Sequence, residues 1–489
     1  MKIVNKIKNY HPNKYIWYLL FFIPIFVGVI TRMDKENDIF FLLRYGEQIL
    51  NFGFPTTDFL SMHQDFSFVM QQWLSSVIFY LSYHFLGHYG LILIVNLVNL
   101  FILYMLYQFC MLLSDHNYKI SILLACIADL LLETSFIIPR PQIFDFLNLL
   151  LVLYIMEMFY RKKSNKILFL LPIISFLQIN LHASVWFMLF LFMLPFVVNF
   201  LICKIVDQSD NRIFQVLGII VVMLLVGVIN PYGIKNITYI FTSYGVKYIN
   251  ELVVEMLPPS LNTEYNIYGI LTFTIMACVL AVYIGYKKEK ISLRYALLLL
   301  GVTVLALSHI RNYSLYIIGT IPPLALYLKK ILKKDYNKQI IDKHYKRHYK
   351  IIIGILCIYL VGMSFIFNNK FTNELEKGVD YLLDHYKKED IVLYADYNNG
   401  SYLEFRGLKP YIDTRAEVFL KANNKKEDIL KEYYLLSYHH LDYKKFVDKY
   451  QFTHLVLAKE EPLYYYISNN KDYTRIYQDK EYEIYEKSK

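Results

Sequence analysis

The sequence lacks most of what marks a nucleotide-driven or hydrolytic enzyme. It has no Walker A pattern, no dinucleotide-binding glycine fingerprint, no Gly-x-Ser-x-Gly elbow and no His-Glu-x-x-His. An ATP-driven transporter or a zinc protease is therefore not expected. The five cysteines are Cys110, Cys126, Cys203, Cys278 and Cys357, all inside apolar stretches, which excludes a disulfide framework and a zinc pattern. No internal repeat is visible, which weighs against a transporter built from two related halves. No small-residue cleavage site follows the basic, then hydrophobic, start of the chain, so 15–31 reads as a retained span. What the chain has instead is apolar length: 56% of its 489 residues are hydrophobic and only 19% are charged. Several apolar runs of about 17 residues or more indicate a polytopic membrane protein.

The net charge of +10 is uneven. Residues 371–489 hold 19 Lys and Arg against 22 Asp and Glu, so the positive excess belongs to the apolar part. Anionic lipid headgroups attract such an excess, and no nucleic-acid partner is expected. The candidate spans are 15–31, 69–87, 90–113, 118–135, 142–160, 167–180, 183–203, 213–229, 266–285, 292–308, 312–329 and 350–368. The lysines at 2, 6, 8 and 14, the run Arg161-Lys162-Lys163, the pair Lys287-Lys288 and the cluster from Lys329 to Lys350 all belong on the cytoplasmic side. Satisfying them together requires an odd number of crossings between Trp73 and Leu113. We therefore read 69–87 as membrane-embedded but non-crossing; the alternative is that 118–135 fails to cross. The expected fold is a polytopic α-helical protein of the plasma membrane with about 11 crossings, its N-terminus inside and its C-terminus outside. Residues 1–370 form the multi-spanning domain and 371–489 a small extracytoplasmic α/β domain.

In that outer part, helices are expected at 373–386, near 425–435 and at 443–449, with strands at 391–395, 409–412 and 454–458 and a closing pair near 474–478 and 481–485. The stretch from Asp396 to Gly400 reads as a turn. Asp413 and Arg415, in Tyr-Ile-Asp-Thr-Arg, read first as a structural pair, with a role in acceptor binding left open.

The first outer loop, 32–68, is the first long polar break. Between Thr31 and Trp73, six acids (Asp34, Glu36, Asp38, Glu47, Asp58, Asp65) face three bases (Arg32, Lys35, Arg44). Phe40, Leu43, Glu47 and Leu50 recur at helical spacing, which predicts a short helix at the membrane surface with Asp38 near its N-cap. Asp38 is then either a helix cap or a general base held at the water–lipid boundary. The assigned topology also gathers other polar residues on the outer face: Arg140 in Pro-Arg-Pro-Gln, Asn180, His182, Asn230-Pro-Tyr-Gly, Glu251, Glu255, His309 and Arg311. Cations set against apolar helices are costly and mark a pathway or an anionic ligand. The plainer readings are snorkelling for Arg140 and Arg311, a helix-end hydrogen bond for His182, a turn for Asn-Pro-Tyr-Gly and a solvated face for Glu251 and Glu255.

The order of these short motifs resembles the bacterial C-type superfamily of integral membrane glycosyltransferases. The matching residues are Asp38, Gly46-Glu47, Gly53, Pro55, Asp58, Ser61, Trp73-Leu74, Arg140-Pro141, Asn180-Leu181-His182, Asn230 to Gly233, and His309 with Arg311. Two departures stand out: Phe41 and Ala183 lie where many relatives carry His and Gly. The resemblance implies a polyprenyl-phosphate sugar as donor and an envelope polymer, glycolipid or protein as acceptor, with inversion at the anomeric carbon. It places Asp38, assisted by Asp58, at the proton transfer, and Arg140, His182, His309 and Arg311 at the donor phosphate. Glu47, Trp73, Asn180, Asn230, Tyr232 and Glu255 fall to acceptor and substrate contacts. No metal ligand is assigned, and a divalent ion, Mg or Mn, stays open as a cofactor. Two other readings remain: a polysaccharide polymerase or ligase, and a non-catalytic flippase or transporter of lipid-linked glycan.

Overall fold

The computed structural model describes residues 17–31, 37–243, 245–259, 292–329 and 373–488, with isolated positions at 276, 279 and 362. The membrane part is built from α1 (Phe22–Thr31), α2 (Asp38–Phe52), α3 (Trp73–Leu86), α4 (His88–Leu113), α5 (Tyr118–Glu133), α6 (Gln142–Tyr160), α7 (Leu170–Leu181), α8 (Trp186–Val206), α9 (Arg212–Val226), α10 (Ile234–Ser243), α11 (Lys247–Leu252), α12 (Leu293–Ser308), α13 (Tyr313–Thr320) and α14 (Leu324–Leu328). Among the described residues, three helical stretches are long and apolar enough to cross a membrane: His88–Leu113, Gln142–Tyr160 and Ala183–Val206. Four shorter apolar ones accompany them: Leu19–Val29, Lys166–Leu181, Arg212–Val226 and Leu293–Ser308. The expected spans 266–285 and 350–368 lie outside the described residues.

One of the expected spans takes a different form. The run 312–329 is not one helix, because Pro322 and Pro323 lack the amide hydrogens that would carry the ladder onward, and the chain turns between α13 and α14. The run 69–87 yields α3, whose 14 residues span only ~21 Å against a hydrocarbon core of ~30 Å. Gly87, at φ +60°, turns the chain directly into α4.

α3 lies along α2, and Gly46 makes the close approach possible. A Cβ there would meet the Ser76 carbonyl oxygen and Tyr80 Cβ, each at 2.4 Å. α2 begins at Asp38, one residue inside Asn37, so the acid sits in the first helical turn. The helix is buried on more than its expected apolar stripe: Ile39, Phe40, Phe41, Leu42, Leu43, Tyr45, Gly46 and Ile49 are all enclosed. The cover comes from the C-terminal domain, whose Tyr402 and Phe405 rings stand 5.0 and 5.4 Å from Phe40. Enclosing one Phe in this way contributes about 2–3 kcal/mol.

The C-terminal domain comprises α15 (Glu376–His385), β1 (Leu393–Tyr394), α16 (Gly400–Phe405), α17 (Lys421–Asn424), α18 (Ile429–Ser437), α19 (Tyr443–Tyr450), β2 (His454–Ala458), α20 (Pro462–Ile467), β3 (Tyr473–Gln478) and β4 (Tyr482–Lys487). Its four strands run in the order β1-β2-β4-β3, with β1 parallel to β2 and the other pairs antiparallel. The strand expected at 409–412 is reduced to a single bridge between Leu393 and Pro410. Pro410 has no amide to donate, and its carbonyl accepts instead from Met62 N of the first loop, at 3.1 Å. One apolar core runs from the membrane helices through α2 into this domain.

At the far end of α6 from Arg140, the buried Glu157 carboxylate binds Arg294 Nε at 2.8 Å, Arg161 Nε at 2.6 Å and the Tyr295 hydroxyl at 2.9 Å. That knot fixes α6 against α12.

Candidate active site

Three chain turns bring cations and acids together beside the start of α2. The first is Ile138-Pro-Arg-Pro, where prolines on both sides of Arg140 fix the backbone as it enters α6. Arg140 Nε lies 3.2 Å from Asp38 Oδ2, and its Nη1 donates to Glu255 Oε1 at 2.8 Å. The second turn, Val254–Met256, supplies Glu255. The third, Ile310–Asn312, supplies Arg311, whose Nη1 points at the Met256 sulfur at 3.5 Å. Ile310 N donates to Leu257 O at 3.0 Å, tying the second turn to the third. Burial works against ionisation of Glu255, yet the Arg140 and Arg311 guanidiniums outweigh it and hold the carboxyl below its ordinary range. Four residues singled out from the sequence, Asp38, Arg140, Glu255 and Arg311, thus share one electrostatic site. The side chains of Asp38, Arg140 and Glu255 keep 27%, 23% and 40% of their surface exposed, so a ligand can reach them. His309, next to this group, bonds through Nδ1 to Ser308 Oγ at 2.9 Å.

The remaining candidates fall elsewhere. His182 Nδ1 sits 2.6 Å from Asp145 Oδ2, and Gln178 Nε2 donates to the other Asp145 oxygen at 2.6 Å. Asn148 donates to Gln178 Oε1 at 2.9 Å, completing a buried polar chain between α6 and α7. Trp73 Nε1 donates to Asn180 Oδ1 at 2.8 Å, and Asn180 Nδ2 donates to Ile229 O at 3.1 Å. Asn230 closes its own turn, accepting from Tyr232 N at 3.0 Å, and the Tyr232 hydroxyl donates to Pro55 O at 3.0 Å. Phe54 packs edge-on to both Trp73 and Tyr232. Glu47 pairs with Arg44 one turn earlier on α2.

Asp58 is set apart from Asp38. It is buried and accepts from Ser61 Oγ at 2.6 Å, Ser61 N at 3.1 Å and Arg415 Nη1 at 2.6 Å. Burial alone would raise its pKa, but Arg415 and Ser61 bring it down to about 2. Arg415 also binds Asp413 through Nε at 2.8 Å and Glu404 through Nη2 at 2.8 Å, and it donates to the Tyr45 hydroxyl. Beside this cluster His63 Nε2 lies 2.8 Å from Tyr411 O, with its ring stacked on Phe66.

Sequence reasoning missed the contribution of the outer domain. Tyr397, whose hydroxyl donates to Thr414 O at 2.7 Å, and Glu417 both lie within the field of Asp38. Burial raises each pKa, and the Asp38 charge adds to the rise. Asp145 was also missed, although an acid inside the apolar run 142–160 is a signal in its own right. Among the described residues, no three His, Cys, Asp or Glu side chains converge closely enough to hold a metal ion. At Asp38 the neighbour is the Arg140 guanidinium, so the donor set there does not fit a resident Mg or Mn.

No family model matches the sequence, and no curated protein matches it. Solved structures do match the fold. The oligosaccharyltransferase of Archaeoglobus fulgidus, in its apo form, superposes with a TM-score of 0.51 at 12% identity, over 91% of this chain and 70% of that one. ArnT from Cupriavidus metallidurans bound to undecaprenyl phosphate gives 0.53 at 11% identity, over 96% of this chain and 97% of that one. The apo state of the same ArnT gives 0.54 at 10% identity, with the same coverage. The chain therefore shares its overall fold with these structures.

Proposed function

We propose that this protein transfers a sugar from a polyprenyl-phosphate donor to a hydroxyl of an extracytoplasmic acceptor. The observation that carries the reading is the meeting of Asp38 with Arg140, Glu255 and Arg311 at an open site where apolar helices end. The fold shared with ArnT bound to undecaprenyl phosphate supports the choice of lipid. The protein is placed in the plasma membrane with about 11 crossings and with the site and residues 371–489 outside.

Asp38 takes the proton of the acceptor hydroxyl as the oxygen attacks the anomeric carbon. The bond from that carbon to the phosphate oxygen breaks on the opposite face, which inverts the configuration. The departing phosphate gains negative charge, and Arg140 and Arg311 are the groups placed to receive it. Arg140 suits the task because a guanidinium can bind two phosphate oxygens at once. Before donor arrives, Glu255 is paired with Arg140 and lies in the field of Arg311; the donor phosphate displaces it. Asp58 takes no part in the proton transfer, since its oxygens are engaged by Arg415 and Ser61 in a closed cluster. His182 orders the polar chain around Asp145, and Trp73, Asn180, Asn230 and Tyr232 shape the wall between the first loop and α7.

The test is made on cells carrying Asp38→Asn at matched membrane levels, with envelope glycans compared by mass spectrometry. Loss of one discrete sugar mass from a polymer, lipid or protein is the expected result. An unchanged profile in Asp38→Asn, Arg140→Met and Arg311→Ala alike would remove the transferase reading and leave a transporter of lipid-linked glycan.

A further inference from the structure

Arg415 is a heavily committed side chain, with five hydrogen bonds to acids and a tyrosine. All five of its N–H groups are used: Nε to Asp413 Oδ1, Nη2 to Asp413 Oδ2 and Glu404 Oε1, and Nη1 to Asp58 Oδ1 and the Tyr45 hydroxyl. The guanidinium side chain is 2% exposed, and the three carboxylates it meets are fully enclosed. Burial raises Glu404 well above the ordinary carboxylate range, against the pull of the Arg415 guanidinium beside it. Lysine cannot replace this fork, since its three donors radiate from one point.

The joint unites parts of the chain that are far apart in sequence. Asp58 belongs to the first loop and Tyr45 to α2, whereas Glu404, Asp413 and Arg415 belong to the outer domain. Gly400 allows the last three to assemble: a Cβ there would meet Ile412 O at 2.0 Å and Asp413 Cα at 2.8 Å. Tyr45 follows Asp38 by seven residues, two helical turns, so both lie on one face of α2 about 10 Å apart. Phe40, between them in sequence, is held by Tyr402 and Phe405. The outer domain thus grips the helix that presents Asp38 at two points. A misplacement of about 1 Å at a reacting group costs on the order of 100-fold in rate.

We infer that Arg415 is a positioning residue for Asp38: the outer domain, locked to the first loop through its guanidinium, sets where the base stands, and the site works only when that domain is docked. The catalytic half of this inference rests on the transferase reading; the mechanical half does not. The effect passes through α2, because Arg415 itself touches Tyr45 and Asp58 and not the open cluster.

The experiment uses the full chain in lipid nanodiscs, with Arg415→Lys and Tyr45→Phe beside wild type. Amide hydrogen exchange is followed over 38–52, 54–70 and 88–113, and sugar addition is scored in cells on the mass that depends on Asp38. Tyr45→Phe removes one hydroxyl and keeps the ring, so it remains informative if Arg415→Lys does not fold. Exchange over 38–52 and 54–70 is expected to rise by about tenfold or more in both variants while 88–113 stays unchanged. Sugar addition is expected to fall by about tenfold in Tyr45→Phe at equal protein level. Unchanged exchange over 38–52 in both variants overturns the inference and leaves the transferase reading intact. Raised exchange together with full sugar addition overturns the positioning role and leaves only a structural joint. If no sugar mass depends on Asp38 even in otherwise wild-type protein, the transferase reading fails, while raised exchange still establishes the joint.

Discussion

Two arginine–carboxylate clusters flank the same first loop, and they differ sharply in access to water. Around Arg140, the side chains of Asp38 and Glu255 keep 27% and 40% of their surface exposed. Around Arg415, the side chains of Asp58, Glu404 and Asp413 keep none. An exposed pair is held by about 1 kcal/mol or less and can trade one partner for a ligand. A closed cluster cannot trade partners, because losing one leaves an uncompensated charge in a dry site at about 3–5 kcal/mol. Under the proposed function, solvent access separates the reactive cluster from the joint.

The sharpest way to break this contrast is to remove each arginine in turn. Arg140→Met is expected to lower sugar transfer by about 100- to 1,000-fold, the range seen when one preorganised donor to a developing charge is lost. Its melting temperature should stay near wild type, because Asp38 and Glu255 can turn to water. Arg415→Met is expected to destabilise the protein by about 3–5 kcal/mol, read as a lower melting temperature and faster exchange in the first loop. A smaller loss, about 1–3 kcal/mol, is expected for Gly400→Ala, since the new methyl meets backbone that Arg415 holds in place. Glu255→Gln works in the other direction: with one competitor for Arg140 and Arg311 gone, undecaprenyl phosphate should bind about two- to fivefold more tightly.

pH offers the finest comparison. Asp58 is held at about 2 against an ordinary 3.8, so its contribution is present above pH 3.8 and is lost as the pH falls toward 2. Asp396, in the loop after β1, is raised by burial to about 6. For that carboxyl the sign reverses: stability is lost as the pH rises from 3.8 through 6, because the unfolded chain releases a proton that the folded state still holds. Asp396→Asn should therefore slow exchange in the outer domain at pH 7 and make no difference near pH 4, while Asn still accepts the bond from Asn399 N.

Much of the open site was legible because ionisable residues at the ends of apolar runs stand out. Arg140 and Arg311 stand at such ends, Asp38 at the start of a helical pattern and Glu255 in the loop between two spans, while the membrane helices follow from length and hydropathy. The role of Asp58 was not legible. It looks like Asp38 in a loop rich in acids, and what separates them is Arg415, 357 residues further along the chain. Tyr45 and Glu404 carry no local signal of a joint for the same reason. The covering of α2 was hidden too: its periodicity fits a helix on lipid equally well, and only the rings of Tyr402 and Phe405 decide the matter. In the outer domain the apolar pattern at 409–412 suggested a strand, but Pro410 spends its carbonyl on the first loop.

The most direct measurement takes Asp38→Asn and Asp58→Asn side by side, each removing one charge at nearly constant size. Sugar addition is scored at matched protein level, and hydrogen exchange is read over 38–70. Asp38→Asn is expected to lose about 100- to 10,000-fold in transfer with exchange like wild type. Asp58→Asn is expected to raise exchange across the first loop and to retain part of its transfer. Wild-type transfer in Asp38→Asn, with loss of transfer and unchanged exchange in Asp58→Asn, would reverse the two roles and contradict the account.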